Sequence, residues 1–255
     1  MRARAVVSYD GTDYAGFQRQ ADVPTVQETL ERALATVTQE PTTILAAGRT
    51  DAGVHAVGQV VAFDTGWRHS TEELQRAMNA VLPSDIAVRE LEEADADFHP
   101  RFDARRRCYR YRVFNEAMRW PLARRYSLHM PYCLDVSAME EASRILVGEH
   151  DFATFGQPPQ GDVTVRRVFR AGWDREPGRR GPFSGGLERG SFLRFDIEAN
   201  AFLYRMVRSI VGTLLDVGQG RMTVRAFSDA FTSRERSRAG KTAGPHGLCL
   251  MRVTY

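Results

Sequence analysis

The sequence predicts an α+β fold of two ferredoxin-like, RRM-like βαββαβ domains, residues 1–103 and 104–255, whose antiparallel sheets flank a central cleft. Two observations carry this. Residues 1–103 alternate between period-two and helix-period stretches in the order strand, helix, strand, strand, helix, strand. The same order recurs over 104–255, with longer connections and no residue-level repeat. At 255 residues the chain suits one large domain or two of ordinary size.

Ala3–Tyr9 reads as the opening strand, closed by the turn residues Asp10, Gly11, Thr12 and Asp13. Thr25 with Glu28 three residues on predicts a capping box, and Val26, Leu30, Ala33, Leu34 and Val37 form one apolar helical stripe. Apolar Ile44–Ala47 and alternating Val57–Phe63 predict two strands joined through Gly48–His55. Ser70 with Glu73 predicts a second capping box, with Leu74, Ala77, Met78 and Val81 facing inward and Pro83 stopping the helix. Ile86–Leu91 supplies the last strand of this half.

In the second half, Cys108–Phe114 reads as a strand, Val136–Val147 as a helix ended by Gly148, and Val163–Trp173 and Ser191–Glu198 as two strands. Phe202–Val217 reads as a helix and Leu248–Val253 as the closing strand. A further helix spans Val224–Thr232, and Ser233–Gly247 reads as an exposed linker. Gly178–Gly186, rich in Gly, Arg and Ser, suits a surface hairpin loop or a loop that touches RNA.

Hydrophobic residues make up 43% of the chain and charged residues 26%, ordinary values for a globular protein. The net charge is only +3, but of the 35 lysines and arginines Lys241 is the sole lysine. Arginine recognises phosphate bidentately and stacks on bases, although a GC-rich genome produces the same bias. The clusters Arg105–Arg107, Arg124–Arg125 and Arg166–Arg167 are candidates for a phosphate-tracking surface. Cys108, Cys133 and Cys249 lie far apart without C-x-x-C spacing, so neither a zinc site nor a disulfide framework is expected. No apolar run approaches a membrane span, and the start of the chain does not read as a signal peptide, so a cytoplasmic protein is expected.

The stretch with chemical content is Gly48-Arg49-Thr50-Asp51-Ala52-Gly53-Val54-His55. Glycines bend both ends of a connection between strands, which sets Asp51 at a rigid turn with Arg49 and His55 close in sequence. An Asx-type turn that only caps backbone amides is equally consistent with these residues. Two other segments draw notice. In Arg107-Cys108-Tyr109-Arg110-Tyr111, strand alternation puts both tyrosines on one face and Arg110 on the other. In Phe202–Gly212, the residues Phe202, Met206, Ile210 and Leu214 recur at helical spacing, and a charged Arg208 on so apolar a helix calls for a partner carboxylate.

GRTDAGVHA closely resembles the catalytic motif of the TruA family of tRNA pseudouridine synthases, whose Asp is the essential residue. The resemblance extends over nearly the whole chain, through Tyr9–Gln20, the first tyrosine of the R-x-Y-x-Y-like strand, the M-V-R-x-I-V-G motif and the closing G-L-x-L. It implies that Asp51 is catalytic, that Tyr109 is the active-site tyrosine, and that Arg208 pairs with Asp51. It further implies that Arg49 engages the flipped nucleotide or its phosphate and that Leu248 packs against the base. Tyr109 has two services to give there, an aromatic face under a flipped uracil and a phenol that relays a proton. Tyr9–Gln20 reads either as an RNA-shape reader or as a subunit contact. The implied activity is isomerisation of uridine to pseudouridine at positions 38, 39 and 40 of the tRNA anticodon stem-loop, by a homodimer with tRNA as partner, no cofactor and no metal. One departure is plain: after Asp151-Phe152-Ala153-Thr154-Phe155 the family's Ser and Arg-Thr pair give way to Gly156-Gln157-Pro158-Pro159-Gln160, which affects RNA contacts more than chemistry.

Two rival readings fit parts of the sequence. A non-catalytic RNA-binding protein or chaperone accounts for the arginines and the fold but not for the acid in GRTDAGVHA. A nucleoside hydrolase wants a second carboxylate or a metal cluster near the first, and Asp64 and Asp85 are not so spaced.

Overall fold

The computed structural model describes residues 1–158, 161–176 and 192–255, and the Gly178–Gly186 loop lies outside them. The described residues form ten strands and five α-helices, a mixed α+β composition. They divide into two compact units, one comprising Met1–Arg107 with Cys249–Tyr255, the other Cys108–Leu248.

The first unit contains β1 (Arg2–Tyr9), α1 (Val26–Thr38), β2 (Leu45–Ala46), β3 (His55–Asp64), α2 (Thr71–Val81) and β4 (Ile86–Glu93). In β1 the alternate residues Ala3, Ala5, Val7 and Tyr9 are buried, the pattern of a strand with one face on a core. β1 pairs antiparallel with both β3 and β4, and β2 pairs antiparallel with β3. Both helices start at the predicted caps, and their geometry differs instructively. Ser70 and Glu73 exchange both bonds of a capping box. Thr25 accepts from the Glu28 amide, but the Glu28 carboxylate turns to Arg32 at 3.3 Å, so only one half of that box is used. Val26, Leu30, Ala33 and Leu34 are buried as expected, whereas Val81 is 47% exposed because α2 ends there and the chain leaves in extended conformation at Leu82.

The second unit contains β5 (Arg106–Phe114, entering it at Cys108), β6 (Leu128–His129), α3 (Val136–Arg144), β7 (Gly148–Asp151), β8 (Val165–Arg175), β9 (Phe192–Ala199), α4 (Met206–Gly218) and α5 (Val224–Ser233). Its strands run in the order β5-β9-β8-β7, with β6 parallel to β5 at the edge. α4 is apolar almost all round and is packed by α3 and α5, and beside them the rings of Phe152, Phe155, Phe227 and Phe231 form a cluster with centroids 5.0 to 5.8 Å apart.

Four features depart from the sequence reading. α3 stops at Arg144, and Gly148, at φ +121, turns the chain into β7, a strand the sequence reading lacks. α4 begins at Met206 rather than Phe202, because Arg205 takes a left-handed conformation at φ 58 and breaks the helical run. The segment 233–247 is exposed over 234–238 as expected but then packs on α4: Ala243 N–H donates to Arg208 O at 3.0 Å, Gly240 N–H to Thr213 Oγ1 at 2.9 Å, and a Cβ on Gly212 of α4 would lie 1.8 Å from Lys241 O. Finally, β10 (Leu248–Thr254), read as closing the second pattern, belongs from Cys249 onward to the first unit, where Cys249 and Leu250 pair in parallel with His55 and Ala56 of β3.

Candidate active site

The Gly48–His55 connection lies between β2 and β3 and is held by the segment that follows β1. Gly11 comes so close that a Cβ there would sit 2.0 Å from Val54 O. Gly16, at φ +107, lies against the other side, where a Cβ would be 2.8 Å from Thr50 O and 3.3 Å from Asp51 C. Only glycine permits both approaches, and Gly16 adopts a backbone conformation that residues with a Cβ avoid. Phe17 N–H donates to Thr50 O at 3.0 Å and Gly53 N–H to Tyr14 O at 3.3 Å, so the two segments are laced by their backbones. Tyr9–Gln20, which the sequence left between RNA reading and a subunit contact, thus forms in part the cradle of the Asp51 loop.

The loop is also held from beneath. Tyr9 and Thr50 share a buried hydroxyl hydrogen bond of 2.8 Å, and fully buried Gln59 of β3 donates to Gly48 O at 2.8 Å. Arg107 braces the entry, its guanidinium donating to Ala47 O at 3.0 Å and to Arg101 O at 2.8 Å. His55, 5% exposed, closes the loop at the start of β3. Its Nδ1 lies 3.1 Å from both the Gly11 amide and Asp10 Oδ1, so it accepts from the amide when unprotonated and donates to the carboxylate when protonated. Tyr14 O–H donates to Asp85 Oδ1 at 2.9 Å, and burial together with that carboxylate pushes its phenol well above the ordinary range. Within this frame Asp51 is half-buried and Arg49 exposed, so the acid is anchored while the neighbouring cation faces solvent.

The other candidates lie in the second unit. On β5, Tyr109, Tyr111 and Val113 are buried on one face, and Arg110 and Arg112 alternate with them as expected. The opposite face is an ion-pair surface, where Arg110 clasps Asp196 with bonds of 2.7 and 3.0 Å and Arg112 clasps Glu176 with bonds of 2.9 and 2.5 Å. Tyr109, 8% exposed, meets Phe202 with ring centroids 5.1 Å apart and planes at 88°. Tyr111 is fully buried and donates to Gly244 O at 2.8 Å; burial raises its phenol strongly, with the Arg208 charge pulling the other way. Arg208, in the first turn of α4, donates from Nε to Ala243 O at 2.8 Å. Leu248 is 6% exposed, next to Gly247, whose missing side chain leaves room for the Tyr111 ring. Tyr109, Arg208 and Leu248 therefore belong to one unit, linked through β5 and the segment 243–248. Arg205 is exposed and lies over the exposed Tyr204 ring at 4.8 Å, away from such packing.

A family profile described as tRNA pseudouridine synthase matches residues 5–103 and 142–255. The chain belongs to the tRNA pseudouridine synthase family. It is 47% identical to tRNA pseudouridine synthase A of Chloroflexus aurantiacus over 251 residues, covering 98% of this chain and 87% of that one. Identity is 42% to the protein of that name from Pseudothermotoga lettingae, covering 100% of this chain and 99% of its own, and 41% to that of a Geobacillus species, covering 100% and 98%. As a pseudouridine synthase the protein is an isomerase that converts uridine to pseudouridine.

The sequence reading did not foresee how the Asp51 loop is supported. Tyr9, Thr50, Gln59 and Arg107 hold the Asp51 loop, a role assigned to none of them from sequence, where Tyr9 and Thr50 lay within motifs and Arg107 within a phosphate-tracking cluster. Its guanidinium is instead occupied by backbone carbonyls, while Arg105 and Arg106 are exposed. Among the described residues no helix is long and apolar enough to cross a membrane, and no group of three or more His, Cys, Asp and Glu is arranged to hold a metal ion.

Proposed function

We propose that the protein isomerises uridines at positions 38, 39 and 40 of the tRNA anticodon stem-loop, with Asp51 as the catalytic residue. The observation that supports this most directly is the rigid loop that carries Asp51, cradled by two glycines in a chain of the pseudouridine synthase family. The reaction breaks the C1′–N1 bond, turns the uracil and rejoins it through C5. Atoms and electrons balance within the nucleotide, so the step asks for a carboxylate and a pocket that retains the detached base rather than for a redox cofactor.

In this reading the unit of Met1–Arg107 with Cys249–Tyr255 supplies the acid and Cys108–Leu248 the base-holding groups, each ferredoxin-like. Asp51 attacks or deprotonates at the sugar or base. Arg49, exposed beside it, takes the flipped nucleotide or its phosphate. Tyr109 stacks with the uracil or relays a proton, Arg208 pairs with Asp51, and Leu248 packs against the base. A homodimer in the cytoplasm, presenting both subunits to one tRNA, completes the proposal.

Asp51→Asn tests it, since it keeps size and removes charge and nucleophile. Pseudouridine formation, mapped position by position in tRNA, should fall by several orders of magnitude. Affinity for tRNA should change by no more than about tenfold, because contacts to phosphates are spread over many arginines. A folded variant that binds tRNA and still modifies it at the wild-type rate overturns the role of Asp51. Modification of the wild-type protein's substrate only outside 38–40 overturns the target, and sedimentation of a fully active monomer overturns the dimer.

A further inference from the structure

The helical spacing that put Phe202 among core residues does not survive, because α4 starts only at Met206 and Phe202 lies in the connection from β9. Freed from the helix, its ring stands at 88° to that of Tyr109, with centroids 5.1 Å apart. This is the edge-to-face arrangement in which the positive rim of one ring meets the negative face of the other. We propose that Phe202 is a positioning residue for the reaction, holding the plane of the Tyr109 ring in the orientation that serves the uracil. This rests on the assignment of Tyr109 to the base.

The connection is built to be stiff on both sides of Phe202. Before it, Asn200 N–H donates to Arg167 O at 3.0 Å, and the Asn200 side-chain oxygen accepts from the Arg167 and Ala201 amides at 3.0 and 2.8 Å. After it, Leu203 is 4% exposed and Tyr204 N–H donates to Gln157 O at 2.9 Å. Gly156 closes the arrangement, since a Cβ there would lie 2.7 Å from Tyr204 O and 2.8 Å from Leu203 Cβ. Together these contacts clamp the residues that carry Phe202. A half-buried ring on a clamped loop is a poor contributor to a core and a good stop for a neighbouring ring.

The test is a double-mutant cycle with single-turnover rates of pseudouridine formation, tRNA affinity and melting temperature as readouts. Phe202→Ala should lower the rate about tenfold with affinity unchanged, and Phe202→Tyr, which keeps the aromatic edge, should recover most of it. Phe202→Leu fills the volume without the aromatic rim and should stay nearer to Ala, which keeps the test usable if Phe202→Ala folds poorly. In a Tyr109→Ala background, Phe202→Ala or Phe202→Leu should cost little more. A full, additive loss in that background overturns the proposal, because Phe202 would then act on the fold or on another group. Tyr109→Ala with a wild-type rate removes the assignment of Tyr109 itself, a result distinct from additivity. Rate loss that tracks melting temperature across the Phe202 variants also overturns the positioning role.

Discussion

Gly11→Ala perturbs the Asp51 loop without touching any group proposed to contact RNA. The new methyl would lie 2.0 Å from Val54 O, 2.7 Å from its carbonyl carbon and 3.2 Å from its amide nitrogen. Real Cβ atoms essentially never come within 3.0 Å, and both partners are backbone, so no side chain can swing aside. Relief requires about 1 Å of movement, and overfilling of this kind costs about 1–3 kcal/mol. The displaced residue follows Asp51 by one turn, with Val54 N–H bonded to Asp51 O at 3.1 Å, so the movement is passed to the acid. A misplacement of about 1 Å at a reacting group costs on the order of 100-fold in rate. Urea unfolding and single-turnover assays on tRNA measure the two effects separately. Gly220→Ala is the control: its φ is +69 and no atom lies within 4 Å of the new Cβ, so it carries backbone strain of about 1–2 kcal/mol and no displacement. The expected result is similar destabilisation of both variants with rate loss only for Gly11→Ala. A wild-type rate for folded Gly11→Ala, or an equal loss for Gly220→Ala, would refute the idea that the glycine cradle holds the acid in place.

Two further outcomes follow from the same structure. Tyr9→Phe removes the hydroxyl bonded to Thr50 at 2.8 Å in a buried setting, which should cost about 1–2 kcal/mol in urea unfolding and lower turnover several-fold at unchanged tRNA affinity; a neutral result shows that Thr50 needs no anchor. Asp151 is partly desolvated, which opposes ionisation, but Thr164, the Ala153 amide and the Arg234 charge outweigh this and hold its carboxyl below the ordinary 3.8. A depressed folded value contributes stability above the unfolded value that is lost as pH falls through the folded one. Asp151→Asn should therefore flatten the acid limb of stability below about pH 4, and an unchanged limb in urea midpoints across that range would contradict the assignment.

How far the sequence could be read depended on the range of the interaction concerned. Ser70 with Glu73, the Leu74 and Met78 stripe and the alternation of Tyr109 with Arg110 are local, and each is found in place. The Asp51 loop was legible because it is a contiguous motif. The left-handed Arg205 was not, since nothing in an apolar run of helical spacing announces one residue of opposite twist. β7 escaped because four residues carry too little periodicity. The supports of the site, Tyr9 to Thr50 and Gln59 to Gly48, join residues far apart in sequence through single hydrogen bonds, and no pattern marks them in advance.

The parallel pairing of β10 with β3 has a bearing on how the chain comes to be folded. During synthesis the partner of His55 and Ala56 emerges only after the whole of Cys108–Leu248 has been made. Tying the ends of an unstructured loop of about 190 residues costs on the order of 5 kcal/mol in chain entropy beyond a constant term. The second unit is sequence-continuous and can fold first. Once it has, Gly247 lies against Tyr111, so the exit of the excursion stands beside its entrance and the long loop has already been shortened. The strand next to the Asp51 loop would then be the last to dock, and pulse-labelling of backbone amides during refolding should show β10 gaining protection after β8 and β9.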